Sequence, residues 1–389
     1  MKKKYIIFSL VTLVLLVALI TSFNYFKTTN TYIDDSVNNQ TKITKGISMN
    51  LEQTAGAGDY KTVTRSSWPT EGYKFNTELS RCENGGEINW DDINKKVIVT
   101  GNVSDKCYVY FDIWIPSIAA YCTSGTDLAT CVKNFGDQGP SVSNIYIHNS
   151  ALTNGAGDNS YRYAGANPNN YVCFGSEATT CPDANLFRII GVFGDQAKVI
   201  RAKSVGDQPW HTSQVNNWSS SSLNTYLNGT YLTSLGTLAE KIATTTWKVG
   251  GGDEANISFS VPATAYQYEV GSSASTTTVD KKIGLMYVSD YYYGASPSAW
   301  KLVGYNSSDA TKDYRAATST NWLYLGSTEW TISRNSGYTY LAFLVNSAGY
   351  VYYSGYVPVS LAVRPSFNLL SSVKYISGSG SMSDPVRIN

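Results

Sequence analysis

The sequence predicts an α+β fold in which sheet dominates, tethered by an N-terminal transmembrane helix. Three observations carry this. The chain opens on Met1, Lys2, Lys3 and Lys4, followed by the apolar run YIIFSLVTLVLLVALI. Beyond it, alternating β-branched and aromatic segments such as KVIVT and CYVYF recur between Gly, Asn and Asp turn signals, and stretches of helical period are short. All six cysteines follow the apolar run, the placement expected of a folded bulk in an oxidising compartment.

Residues 1–27 read as a signal-anchor. A cationic flank before an apolar core is a membrane-targeting signal, and the span to Phe26 is close to the roughly 20 residues that cross a bilayer. Ala18, Leu19 and Ile20 break the small-residue rule of a signal-peptidase site, which favours an uncleaved anchor. The lysines then stay cytoplasmic, and the bulk is extracellular in a single-pass cell-membrane protein whose first partner is the lipid bilayer. Residues 28–58, polar with a Gly-Ala-Gly tail, read as a stalk.

Residues 59–115 read as a small antiparallel β-module, with strands at 96–100 and 107–111 and an Asn84-Gly85-Gly86 turn. A Cys82–Cys107 bridge would clamp it, nearest-neighbour pairing being the simplest of the arrangements that Cys82, Cys107, Cys122, Cys131, Cys173 and Cys181 allow. Residues 116–169 read as a helical and loop connector in which Asp127 could cap a helix. The C-terminal α+β domain, 170–389, opens with strands at 186–193 and 197–202 joined by the turn signal Gly194-Asp195. Between Trp218 and Trp247 the apolar spacing suits two short amphipathic helices broken at Asn228-Gly229. Short strands follow at 283–288, 300–303, 322–325, 329–332, 342–346, 350–353 and 361–369, with Ser347-Ala348-Gly349 as a hairpin loop.

In order, NYVCFGSEATTCPDANLFRIIGVFGD, WSSSSLNTYLN, IGLMYVSDYYYGA, EWTISRNSG, LAVRPSFNL and SGSGSMSDP resemble the blocks of an uncharacterised domain of exported proteins from Gram-positive gut bacteria. GYKFNTELSRCENGGEINW with DKCYVYFD resembles a small β-module that often accompanies it. The resemblance implies a boundary near residue 170 and no activity. More distantly, the Trp-bearing segment 329–333 and the final Val363-Arg364-Pro365 resemble the ending of C-type-lectin-like and formylglycine-generating-like folds, which implies a scaffold with a long-loop face. Neither a Glu-Pro-Asn or Gln-Pro-Asp triplet nor a Trp-Asn-Asp block is present, so a lectin-type calcium site is not carried over. With no cysteine after Cys181, neither is a catalytic cysteine pair.

Charge and motif content narrow the function. Only 15% of residues are charged and the net charge is +1, which provides no basic field for nucleic acid. With no C-x-x-C spacing and only His148 and His211 as imidazoles, both read as surface-loop residues, the sequence points to no metal or other cofactor. It has no G-x-S-x-G, H-E-x-x-H or Walker loop, and Asp253 with Glu254, or Asp290, would form a carboxylate pair only through tertiary folding. No catalytic residue is named. What stands out is 30 Tyr and 9 Trp, concentrated in the second half. Rings with an apolar face and a polar edge suit recognition of a surface glycan, cell-wall polymer or peptide, and the expected ligand-binding residues are Tyr291, Tyr292, Trp300 and Trp322, placed in loops. Arg364 is expected to be buried and structural. The expected function is a membrane-anchored extracytoplasmic recognition module, with a structural or adhesin-like surface component and an extracytoplasmic hydrolase as alternatives. Buried aromatics would favour the structural reading.

Overall fold

The computed structural model describes residues 46–54, 56–63, 68–69, 72–101, 105–114 and 116–389. The expected anchor and the first part of the stalk lie outside the described residues, among which no helix is long and apolar enough to cross a membrane. The described residues form two compact units, which divide between 115 and 116.

Seven short strands build the first unit: β1 (Ile47–Glu52), β2 (Tyr60–Val63), β3 (Tyr73–Phe75), β4 (Arg81–Cys82), β5 (Glu87–Asp91), β6 (Lys96–Thr100) and β7 (Cys107–Ile113). The main sheet runs β2-β1-β7-β3 with β4 also on β7, and β5 and β6 form a separate hairpin. Strand β1 corrects the stalk reading: residues 47–52 are an interior strand, parallel to β7 and antiparallel to β2. ISMNLE alternates weakly, and its main partner lies far along the chain, so no local signal announced it. Met49, Leu51, Phe75, Val109 and Phe111 form this unit's core. A core this small gains from the Cys82–Cys107 disulfide, whose 25-residue separation corresponds to about 3–4 kcal/mol of lost unfolded-state entropy.

The second unit carries β8 (Ile145–Ile147), β9 (Tyr161–Tyr163), β10 (Tyr171–Cys173), β11 (Leu186–Phe193), β12 (Gln196–Arg201), β13 (Asp207–Pro209), β14 (Thr245–Lys248), β15 (Thr278–Lys281), β16 (Glu329–Arg334), β17 (Leu341–Val345), β18 (Val351–Tyr356), β19 (Ser360–Ala362), β20 (Ser366–Asn368), β21 (Tyr375–Ser377) and β22 (Val386–Ile388). One sheet runs β20-β12-β11-β10-β22-β21, with β9 on β11 and β8 on β9. A second runs β13-β19-β16-β17-β18, and β14 pairs with β15. Apart from Arg188, LFRIIGVF is apolar on both faces because β11 is buried along nearly its whole length. At its bulge, a Cβ on Gly191 would collide with the Tyr161 carbonyl of β9, so only glycine lets the strands approach. The β11–β12 hairpin turns at Gly194-Asp195 as expected.

Residues 116–169 are more than a connector, since β9 is hydrogen-bonded to β11. Asp127 stands at the N-cap of the helix Leu128–Gly136 but makes no side-chain cap bond. Its carboxylate pairs instead with Lys374 at 2.6 Å. The expected break at Asn228-Gly229 is a π-helical turn, Leu227–Tyr231, inside a continuous irregular helical run. There the Asn228 amide donates to the Ile283 carbonyl and accepts from its N–H, at 2.8 and 3.0 Å, a tertiary latch that holds the turn. The segments 283–288, 300–303 and 322–325 are not strands. They carry only isolated bridges such as Gly284 to Ser366 and Val303 to Asp313, and Val288–Gly294 is a helix. Cys122–Cys131 and Cys173–Cys181 complete the nearest-neighbour disulfides, consistent with an extracellular address. The fold is α+β, dominated by strands with few short helices.

Candidate functional site

The four aromatics expected at a binding face are buried, Tyr291, Tyr292 and Trp300 at 0% exposure and Trp322 at 3%. The helix that carries the tyrosines is capped reciprocally by Tyr287 and Asp290, and all seven of its residues are buried. Each ring gives its polar edge to a backbone carbonyl: Tyr291 to Gly349 at 2.7 Å, Tyr292 to Ile257 at 2.8 Å, Trp300 to Ala295 at 3.0 Å and Trp322 to Tyr163 at 2.9 Å. Burial holds the Tyr291 and Tyr292 phenols well above their ordinary pKa. Filled on the apolar face and satisfied at the polar one, these rings cross-link the unit and offer nothing to a surface ligand.

The remaining candidates also have structural partners. Arg364 is buried as expected, gripping Glu329 with two 2.6 Å bonds and donating to the Leu323 carbonyl. Burial raises the Glu329 pKa, and Arg364 opposes the rise. Asp253 caps the helix Glu254–Ile257 by accepting from the Asn256 N–H at 2.9 Å. His148, expected on a surface loop, is instead buried against Tyr293 and Trp300. Its Nδ1 accepts from the Ala156 N–H at 3.0 Å, and burial lowers its pKa to about 2. The described cluster of potential metal donors, Cys82, Asp105 and Cys107, has its two sulfurs joined to each other.

The rings that do reach solvent lie elsewhere. The hairpin after Ser347-Ala348-Gly349 delivers Tyr350 and strand β18 delivers Tyr352 and Tyr353, all part-exposed. Tyr305 stacks on Tyr350 with centroids 4.8 Å apart and meets Tyr352 edge-on at 6.0 Å. Phe259, 43% exposed, lies 5.2 Å from Tyr353 and 6.2 Å from Tyr305. The five rings form one connected face. Arg315 borders it, its guanidinium 5.5 Å from the Tyr305 centroid and 5.3 Å from that of Tyr350. Asp313, itself buried, holds that guanidinium through both Nε and Nη2, which pushes the Arg315 pKa up. A cation on the ring faces, fixed by a carboxylate behind it, keeps the rings oriented and adds N–H donors at their margin. Tyr338, Tyr340 and Tyr356 form a second exposed group.

The sequence did carry one signal for this face, the run Tyr350, Tyr352 and Tyr353 directly after a hairpin loop. Phe259 and Tyr305 reach it only through tertiary folding. No family model, curated protein or solved structure matches the chain.

Proposed function

We propose that the chain is a membrane-anchored recognition module of the cell exterior that holds a surface glycan or cell-wall polymer against the ring face. The connected, part-exposed set Phe259, Tyr305, Tyr350, Tyr352 and Tyr353 carries this reading. Flat rings with hydroxyl edges stack on the apolar faces of sugar rings and meet their hydroxyls at little entropic cost. The three disulfides support the extracellular address, and the resemblance to an exported Gram-positive domain with C-type-lectin-like ending blocks belongs to the same reading. The test is co-sedimentation of the full-length, disulfide-intact chain with insoluble cell-wall polymer, beside a Tyr305→Ala/Tyr353→Ala variant. Retention by the parent, with at least tenfold weaker retention by an equally folded variant, is expected. Equal retention by both would overturn the reading. One observation favours the structural or adhesin-like alternative: the aromatics that the sequence singled out are core residues. On that alternative, the folded chain binds no polymer at all.

A further inference from the structure

A concavity of about 250 Å³ lies between β12, β14 and the helices Pro262–Glu269 and Val288–Gly294. Its floor is charged and buried: Arg162, Lys198 and Asp290 are 2, 5 and 2% exposed. Lys198 Nζ donates to Asp290 at 2.5 Å, Arg162 pairs with Asp158 at 2.6 Å, and Arg162 Nη1 stands 3.7 Å from the other Asp290 oxygen. Two cations thus face two carboxylates. Aromatic rings surround them. Lys198 Nζ is 4.7 Å from the Tyr287 centroid and 5.3 Å from that of Trp247, and the Arg162 guanidinium is 5.3 Å from Tyr266. The rim residues Thr246, Tyr266 and Tyr287 reach solvent.

Hydrogen-bonding capacity remains on this floor. Lys198 has three N–H donors and, among the described residues, hydrogen-bonds only Asp290, with ring faces close by. Arg162 directs Nε to Ser160 and Nη2 to Asp158, whereas Nη1, 3.7 Å from Asp290, has no acceptor within hydrogen-bonding distance among the described residues. Directly across from Lys198 on the neighbouring strand β20, Asn368 donates to Thr245 at 3.1 Å, and its Oδ1 is buried with no partner among the described residues. An orphaned buried acceptor costs free energy unless something fills the site.

Charge balance selects the occupant. An anion here would meet Asp158 and Asp290, and a cation would meet Arg162 and Lys198, each desolvated with little net attraction. A neutral ligand that both accepts and donates hydrogen bonds suffers neither penalty. We infer that this pocket binds a single neutral hydroxylated ring, a hexose or N-acetylhexosamine unit, with its face on the part-exposed Tyr287 and its hydroxyls on Lys198, Arg162 and Asn368. The volume lies below the roughly 300–1,000 Å³ of drug-sized sites, so it takes one ring and not a chain. The inference rests on the glycan reading above and adds the specificity that a flat ring face lacks.

The test is isothermal titration of the full-length chain, in a detergent without a sugar headgroup, with glucose, galactose and N-acetylglucosamine, and with glucuronic acid and glucosamine as charged counterparts. At least one neutral sugar should bind, with the charged counterparts at least tenfold weaker. Asn368→Ala should lose that binding while still retained by cell-wall polymer. Thr246→Trp, which crowds the exposed rim without entering the core, should lose it too if Asn368→Ala fails to fold. Polymer binding without any monosaccharide binding overturns the pocket and leaves the ring face standing. A charged sugar bound more tightly than the neutral ones, or sugar binding untouched by both variants, also overturns it. Loss of both polymer and sugar binding in the folded parent overturns both readings.

Discussion

The tyrosine triplet at 291–293 and the tyrosine cluster at 350–353 look alike in sequence and have opposite fates. The first is the body of a short helix buried on every side, with each phenol bonded to a backbone carbonyl. The second lies on a hairpin and an edge strand, part-exposed and in contact chiefly with other rings. Ring content does not separate them; what covers the backbone that carries them does. Residues 288–294 are enclosed by packed segments from several parts of the unit, whereas β18, among the described residues, has a strand neighbour in its sheet on one side only, β17. An aromatic-rich stretch therefore reads as core or as contact surface only once its neighbours are known.

Breaking the buried set should have the largest effect. Trp300→Ala removes a fully enclosed indole and its bond to Ala295, and the cavity should cost about 3–5 kcal/mol. Thermal unfolding followed by circular dichroism should show the midpoint falling sharply. A loss under about 1 kcal/mol would mean that Trp300 is not the strut its packing implies.

Why the sequence misplaced this set is physical. Tyr-Tyr-Tyr-Gly has the propensity of strand or loop, and the helix forms because Asp290 caps its start while also pairing with Lys198 across the fold. That partner is 92 residues away, beyond any local pattern. Where local pattern and tertiary context agreed, the reading was accurate. KVIVT is β6 and LFRIIGVF is β11, residue for residue, because each is rich in β-branched and other apolar residues between clear turns. The nearest-neighbour pairing expected of the six cysteines is the one the structure holds. The pocket was not legible, and the ring face only through Tyr350, Tyr352 and Tyr353, since Arg162, Lys198, Asp290 and Asn368, like Phe259 and Tyr305, converge only through tertiary folding.

An acid titration sharpens the comparison from the buried side, since His148 packs on Tyr293 and Trp300. Burial is the main cause of its depressed pKa, with Arg162 adding to the depression and Asp158 opposing it. In the folded chain the imidazole stays neutral down to about pH 2, whereas unfolded it takes a proton below its ordinary 6.5. Between those values the unfolded state binds more protons. Its contribution to stability is therefore whole above pH 6.5 and falls with pH by about 1.4 kcal/mol per unit. Urea unfolding at pH 7.5 and 4.5 should show a drop about 2–3 kcal/mol larger in the parent than in His148→Gln. Parallel drops would place the acid sensitivity elsewhere.

The exposed set should give the smallest stability effect. Tyr353 contacts Phe259, Tyr305 and Tyr352 at 5.2, 6.5 and 5.1 Å between centroids, and each such pair is worth about 0.5–1.5 kcal/mol when well packed. Solvent already reaches one side of this ring, so its removal leaves a dent and not a cavity. Tyr353→Ala should then lower stability by only about 1 kcal/mol, a small fraction of the Trp300→Ala loss. The two variants, unfolded in urea side by side, measure the comparison directly. Near-equal losses would mean that the ring face is a second core and would remove its claim to a ligand, whereas a small loss with weakened polymer retention would separate the rings that hold the fold from those that meet its surroundings.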